Sequence, residues 1–281
     1  MFQKRGSVAV PYLSVPGSRI HFEDHPGRAT SRAPLVFVLI HGWPCDSRDW
    51  ADLVGPLQDH GRVVSVDLRG HGGSDASSQG YALTTLSGDV VQLLRHLHVN
   101  HAVMVGHSAG SEVALMAAAL EPQRVSAAIV VDPAYGFASE DRVRIAQVSH
   151  ELAAGDPSAV ALGYFRALDG ERTPAAVTQA HAGRVVNSLP EAITAVFHDF
   201  AFGPGSFHFR PETDRFHEDS RRIPLLAFYR NEARAAGGHA FAVKPGDRVI
   251  IYPGSGHWLH HEDSARFLSD VSSWLCDLGP V

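Results

Sequence analysis

Short runs of Val, Ile, Leu and Phe alternate along the chain with longer stretches whose apolar residues recur every three or four positions. The runs predict strands buried on both faces and the longer stretches predict amphipathic helices. Their alternation predicts a largely parallel sheet covered by helices. Two opening strands are expected at about 8–14 and 19–24, joined by a turn at Pro16-Gly17. The run APLVFVLIHG (33–42) predicts a third, and Trp50, Leu53, Val54 and Leu57 share one face of a helix expected over 47–60. RVVSVDL (62–68) reads as a strand, 83–98 as a helix and HAVMVGH (101–107) as a strand. A buried helix is expected over 109–120, stopped by Pro122, with the strand VSAAIVVD (125–132) after it.

The alternation breaks over 133–222, where helical patterns are cut by Gly and Pro. That stretch carries a dense aromatic-histidine segment, His198-Asp199-Phe200-Ala201-Phe202 followed by Phe207-His208-Phe209. The segment either lines a pocket or forms the interior of the insertion. Alternation resumes with the strands IPLLAFY (223–229) and RVIIY (248–252) and a last helix over about 263–275. The expected organisation is an α/β core built from 1–132 and 223–281, with 133–222 as a helical cap.

Composition narrows the function classes. Hydrophobic residues at 44% and charged residues at 19% describe an ordinary folded protein. The net charge of -6, with no run of Lys or Arg, argues against nucleic-acid binding. The longest early apolar run, 35–40, has a strand's length, too short for a signal-peptide core or a membrane span. Cys45 and Cys276 form neither a CxxC pair nor a disulfide framework. The expected setting is cytoplasmic and off the membrane, with a small-molecule substrate as partner and no defined oligomeric state.

The chemistry centres on Ser108, in Gly106-His107-Ser108-Ala109-Gly110 between a predicted strand and a predicted helix. A G-x-S-x-G turn this tight needs small flanking residues so that the backbone passes without collision and the hydroxyl projects from the sheet. A phosphate-binding turn is the competing reading, but the chain has neither G-x-G-x-x-G at this site nor G-K-[ST] anywhere. A serine hydroxyl needs a base. Of eighteen histidines, His257 fits, in the glycine-rich loop Pro253-Gly254-Ser255-Gly256-His257-Trp258 after the last strand. His260 and His261 fall at the entry to the final helix. His107 reads as a packing or hydrogen-bonding residue. His96, His98 and His101 could suggest a metal, but no carboxylate cluster joins them, so neither metal nor cofactor is expected.

His41-Gly42-Trp43-Pro44, the stretch Asp67–Asp75 (DLRGHGGSD), the GHSAG elbow and GSGHW occur in this order. Through these blocks nearly the whole chain resembles the α/β-hydrolase superfamily. The resemblance implies a mostly parallel eight-stranded sheet and an oxyanion hole formed by the backbone N–H groups of Trp43 and Ala109. The triad acid departs from the usual pattern. Family members commonly carry Asp in a turn after the strand written here IPLLAFY, where this chain has Tyr229-Arg230-Asn231-Glu232-Ala233. Two carboxylates are candidates. Asp132, at the end of VSAAIVVD, resembles the arrangement in certain haloalkane dehalogenases and is preferred; Glu232 is the alternative.

Three functions follow as expectations. The leading one is a serine hydrolase of an ester, lactone or related acyl bond, using Ser108, His257 and the carboxylate. The second is a cofactor-independent ring-cleaving dioxygenase, which the chain resembles in placing an acid at Asp132 and which works through a His–Asp dyad. The third is a non-catalytic, hydrolase-like ligand receptor. Epoxide hydrolases and haloalkane dehalogenases are similar in the HGWP-type turn but by resemblance use Asp where this chain has Ser108.

Overall fold

A computed structural model describes residues 11–28, 35–77 and 80–279. Strands β1 (Tyr12–Val15), β2 (Ser18–His25), β3 (Leu35–Ile40), β4 (Gly61–Val66), β5 (Ala102–His107), β6 (Val125–Val131), β7 (Leu225–Tyr229) and β8 (Arg248–Ile251) form one sheet. Their order is β1-β2-β4-β3-β5-β6-β7-β8. The β1–β2 and β2–β4 pairs are antiparallel, and β3 through β8 run parallel. The predicted first strand begins at 8, so its opening residues lie outside the described ones.

Side-chain alternation in the strands feeds two cores, one on each face of the sheet. Phe37, Leu39, Val103, Val105, Ile129 and Phe228 pack on the face covered by helices α1 (Ala51–Gln58) and, at the chain's end, α11 (Ser264–Leu278). Val38, Ile40, Met104, Val130 and Ala227 face the other side, with α2 (Leu83–His96) and α3 (Ala109–Leu120). Both faces are covered, which is why these strands read as continuous apolar runs and not as alternating ones.

The helix expected over 47–60 divides. Asp46 accepts a hydrogen bond from Arg48 N at 3.1 Å and caps a 3-10 turn, Ser47–Trp50, before α1 begins. The helix expected to reach 98 stops at His96, and His98 adopts φ 54°. Between β6 and β7 run α4 (Asp141–Ala154), α5 (Pro157–Leu168), α6 (Ala175–Asn187), α7 (Pro190–Phe202) and α8 (Glu212–Asp219). Two further helices, α9 (Glu232–Phe241) and α10 (Leu259–Glu262), were not expected from the pattern. No helix among the described residues is long and apolar enough to cross a membrane.

Backbone approaches backbone closely at the junction of β5 with α3. A Cβ on Gly106 would lie 2.3 Å from the Gly110 carbonyl oxygen, and one on Gly110 would lie 2.3 Å from that of Ile40. Both obstacles are backbone, which cannot rotate away. Gly110→Ala is therefore expected to destabilise the fold by about 1–3 kcal/mol as an overpacked site. Chemical denaturation measures this, and an unchanged midpoint would contradict the steric argument.

Candidate active site

Ser108 links β5 to α3 with φ 51° and ψ -121°, a left-handed conformation that costs a non-glycine residue strain. Neighbouring backbone holds it there. Ser108 N donates to Val131 O at 2.9 Å, and its own carbonyl accepts from Ser111 N at 3.0 Å and Ala134 N at 3.2 Å. The hydroxyl faces a cavity of about 350 Å³ that is also lined by His257, Asp132, Trp43 and Ala109.

His257 is fixed from three sides. Its N–H donates to Leu168 O at 3.0 Å, and its carbonyl accepts from His107 Nε2 at 3.1 Å. Its Nδ1 lies 2.5 Å from Asp132 Oδ2. A carboxylate only accepts, so Nδ1 carries the proton and Nε2 is left with a lone pair. The same logic makes His107 Nε2 a donor, which agrees with the hydrogen-bonding role expected for it. No hydrogen bond joins the Ser108 hydroxyl to His257 in this structure. Such bonds are often long before substrate binds.

Asp132 follows β6, and its N–H donates to Phe228 O at 2.8 Å. Like Ser108 it lies in the left-handed region, at φ 38°. Burial alone would raise its pKa, but the His257 bond and the nearby Arg230 and Arg234 outweigh burial and hold it at about 2. Arg230 Nη1 lies 2.9 Å from Asp132 Oδ2. Glu232, the alternative acid, opens α9 on the exposed surface and makes no bond to His257. For His257, burial lowers the pKa from 6.5, Asp132 raises it in part, and Arg230 and Arg234 lower it again. The net direction is downward, so the imidazole is neutral at pH 7.

Trp43 and Ala109 lie on the same cavity wall. Among the described residues neither backbone N–H donates to a protein acceptor. The Trp43 side chain is anchored separately, with Nε1 donating to Ile193 O at 2.8 Å. The aromatic-histidine segment divides between the two roles considered for it. Phe200, Ala201 and His208 line the cavity, whereas Phe207 and Phe209 are packed inside.

One buried cluster escaped the sequence reading. Asp49 Oδ1 accepts from His181 Nε2 at 2.7 Å, Arg184 Nη1 at 3.2 Å and His261 Nε2 at 3.3 Å. His181 and His261 lie 132 and 212 positions from Asp49, so no local motif could reveal the set. Burial would raise the Asp49 pKa, but His181 and His261 push it well below the carboxylate range. Cys45, Asp49 and His181, and likewise Asp49, His260 and His261, bring ligand-type atoms within 4.8 Å of one another. Arg184 meets the carboxylate's charge through Oδ1, whereas Asp49 Oδ2 and both ring nitrogens of His260 find no hydrogen-bond partner among the described residues. His96, His98 and His101 are exposed and belong to neither group.

The sheet order, the glycine-flanked elbow and the histidine loop after β8 together define an α/β hydrolase architecture. The chain belongs to the alpha/beta hydrolase fold family, whose sequence model matches residues 36–190. A non-heme chloroperoxidase of Streptomyces lividans is 40% identical over 117 residues, 41% of this chain and 41% of that protein. The match thus spans about two fifths of that relative's length. An esterase from Exiguobacterium antarcticum is similar in structure at a TM-score of 0.79 and 18% identity, covering 94% of this chain and 98% of its own. The enol-lactonase of Burkholderia xenovorans LB400 gives a TM-score of 0.77 at 23% identity, covering 95% and 100%.

The Asp49 cluster yields a stability prediction. Asp49→Ala leaves the buried histidines without their anion and Arg184 with Asp46 alone, and is expected to cost about 3 kcal/mol. Urea unfolding of the two proteins measures the difference. Equal stability would show that the carboxylate contributes nothing net.

Proposed function

We propose that the protein is a serine hydrolase that cleaves an ester, lactone or related acyl bond of a small, partly apolar substrate. The observation that carries this reading is one cavity lined by an elbow serine, a histidine bonded to a buried carboxylate, and two unused backbone N–H groups. In the proposed cycle Ser108 Oγ bonds to the acyl carbon while His257 Nε2 takes its proton. The Trp43 and Ala109 N–H groups hold the oxyanion, each worth on the order of 3 kcal/mol in the transition state. Collapse breaks the bond to the leaving oxygen, which receives the proton from His257. Water then repeats the sequence on the acyl-enzyme, and the acid is released as Ser108 regains its proton. Asp132 holds the Nδ1 tautomer and stabilises the imidazolium.

In this reading 133–222 is a cap whose helices supply the cavity's aromatic wall. A cytoplasmic location is part of the proposal and is supported by the two free cysteines, Cys45 and Cys276.

A second reading rests on the His257–Asp132 pair itself, bonded at 2.5 Å with the carboxylate placed after β6. A cofactor-independent dioxygenase would use that dyad to deprotonate an N-heteroaromatic substrate, with Ser108 only assisting binding.

Ser108→Ala is expected to lower kcat on para-nitrophenyl esters by on the order of 10⁴-fold or more. A fluorophosphonate should label the native protein at Ser108. Oxygen uptake with an N-heteroaromatic substrate, surviving Ser108→Ala, would select the second reading instead.

The lowered His257 pKa sets the pH profile. The base must be neutral, so activity is expected to persist as pH falls past 6.5 and to fail only below it. Arg230→Gln removes a cation that opposes the imidazolium, so its acid limb should move to higher pH. A limb that stays in place would remove Arg230 from this role.

A further inference from the structure

Three guanidinium groups line the cavity that Ser108 faces: Arg144 from α4, Arg230 from the turn after β7, and Arg234 from the first turn of α9. Among the described residues Asp132 is the one carboxylate on that wall, and it is already bonded to His257 and Arg230. Other charges do not restore the balance. His208 also lines the cavity, and burial, with nearby arginines adding to it, depresses its pKa to about 3. Glu112 sits 3.6 Å behind His208, and burial raises its carboxyl well above the usual range. His208 is therefore neutral near pH 7, and burial favours the uncharged form of Glu112.

Arg234 is the cation without an acid partner. Its Nη2 donates to Pro133 O at 2.5 Å and Tyr135 O at 3.2 Å, and its guanidinium lies 4.1 Å from the Phe137 ring centroid. These contacts hold the group in place without neutralising it. Nε and Nη1 make no hydrogen bond to the described residues. Arg144, nearer solvent, pairs with Asp141 at 3.1 Å. An exposed pair of this kind is weak and readily exchanged for a ligand. The remaining wall is largely aromatic, including Tyr164, Phe165 and Phe197. A fixed cation in a concave, low-dielectric wall is costly unless an anion joins it.

We propose that the cavity selects acyl substrates bearing a second, anionic group, a carboxylate held by Arg234 and Arg144 while the scissile carbonyl meets Ser108; this deepens the hydrolytic reading above and rests on it. The cavity of about 350 Å³ admits one small molecule, so ester and carboxylate belong to the same substrate. Hydrolysis consumes one water and releases a dicarboxylate and the alcohol. Guanidinium recognises carboxylate through paired N–H donors, which an apolar acyl chain cannot engage.

The test compares mono-para-nitrophenyl glutarate with its methyl ester, the same chain with the charge capped. The anionic ester is expected to have a kcat/KM about tenfold higher or more, carried by KM and reduced by added salt. Arg234→Gln and, on the exposed helix, Arg144→Gln should each bring that ratio toward one. Equal kcat/KM for the two esters, or a ratio untouched by both variants, overturns the proposal. Calorimetric titration of the Ser108→Ala protein separates this proposal from the hydrolytic reading. Glutarate is expected to bind and dimethyl glutarate to bind at least about tenfold more weakly, with Arg234→Gln abolishing the difference. If neither ester is turned over but that binding difference holds, the hydrolytic reading fails and the anion site stands. If dimethyl glutarate binds as well as glutarate, the anion site fails whatever the turnover.

Discussion

The first turn of α3 passes so close to the ends of β3 and β5 that no Cβ fits at residues 106 or 110. The placement of the site depends on that approach. It lifts Ser108 into a strained left-handed turn and orients α3 with its N-terminus at the cavity. It also brings the Ala109 N–H beside the loop that carries Trp43. A Cβ on Gly42 would in turn lie 3.0 Å from the Ser108 Cβ, so the two turns are fitted to each other as well. Hydrogen bonds to Val131 and Ala134 then hold the strain, because the elbow cannot relax without breaking contact with β6 and the segment that follows it.

Electrostatics divides the pair that follows. Asp132 and His257 are both buried, yet burial acts on them in opposite senses, raising the pKa of one and lowering that of the other. The bond between them offsets burial for the carboxylate, which remains an anion, but not for the imidazole, which remains neutral. Arg230 and Arg234 reinforce both outcomes, because a cation favours carboxylate and disfavours imidazolium. The pair therefore rests as a neutral imidazole beside a fixed anion.

The parts of this architecture legible in the sequence were those written locally. Doubly buried strands appear as unbroken apolar runs, and the elbow needs small residues at fixed spacing. The histidine loop is marked by glycines after a last β-rich run. The acid was not legible to the same degree, because Asp132 and Glu232 both follow strand ends and only the folded sheet decides which meets Nδ1 of His257. Helix α9 escaped because Ala and Gly dominate its sequence, leaving no clear apolar stripe. The Asp49 cluster escaped because its members come from a 3-10 turn, an inserted helix and the segment after the histidine loop, distant in the chain and joined only by folding.

The parallel pairing of β6 and β7 brings their two ends side by side. Val131 stands in register with Phe228, and Asp132 N bonds to Phe228 O, so the two strand ends are adjacent sockets facing one imidazole. Asp132 follows the first strand and Arg230 the second, and a bond of 2.9 Å joins the two side chains. The charge beside His257 is thus set by the two strand ends together, because the cation that follows one strand stabilises the anion that follows the other.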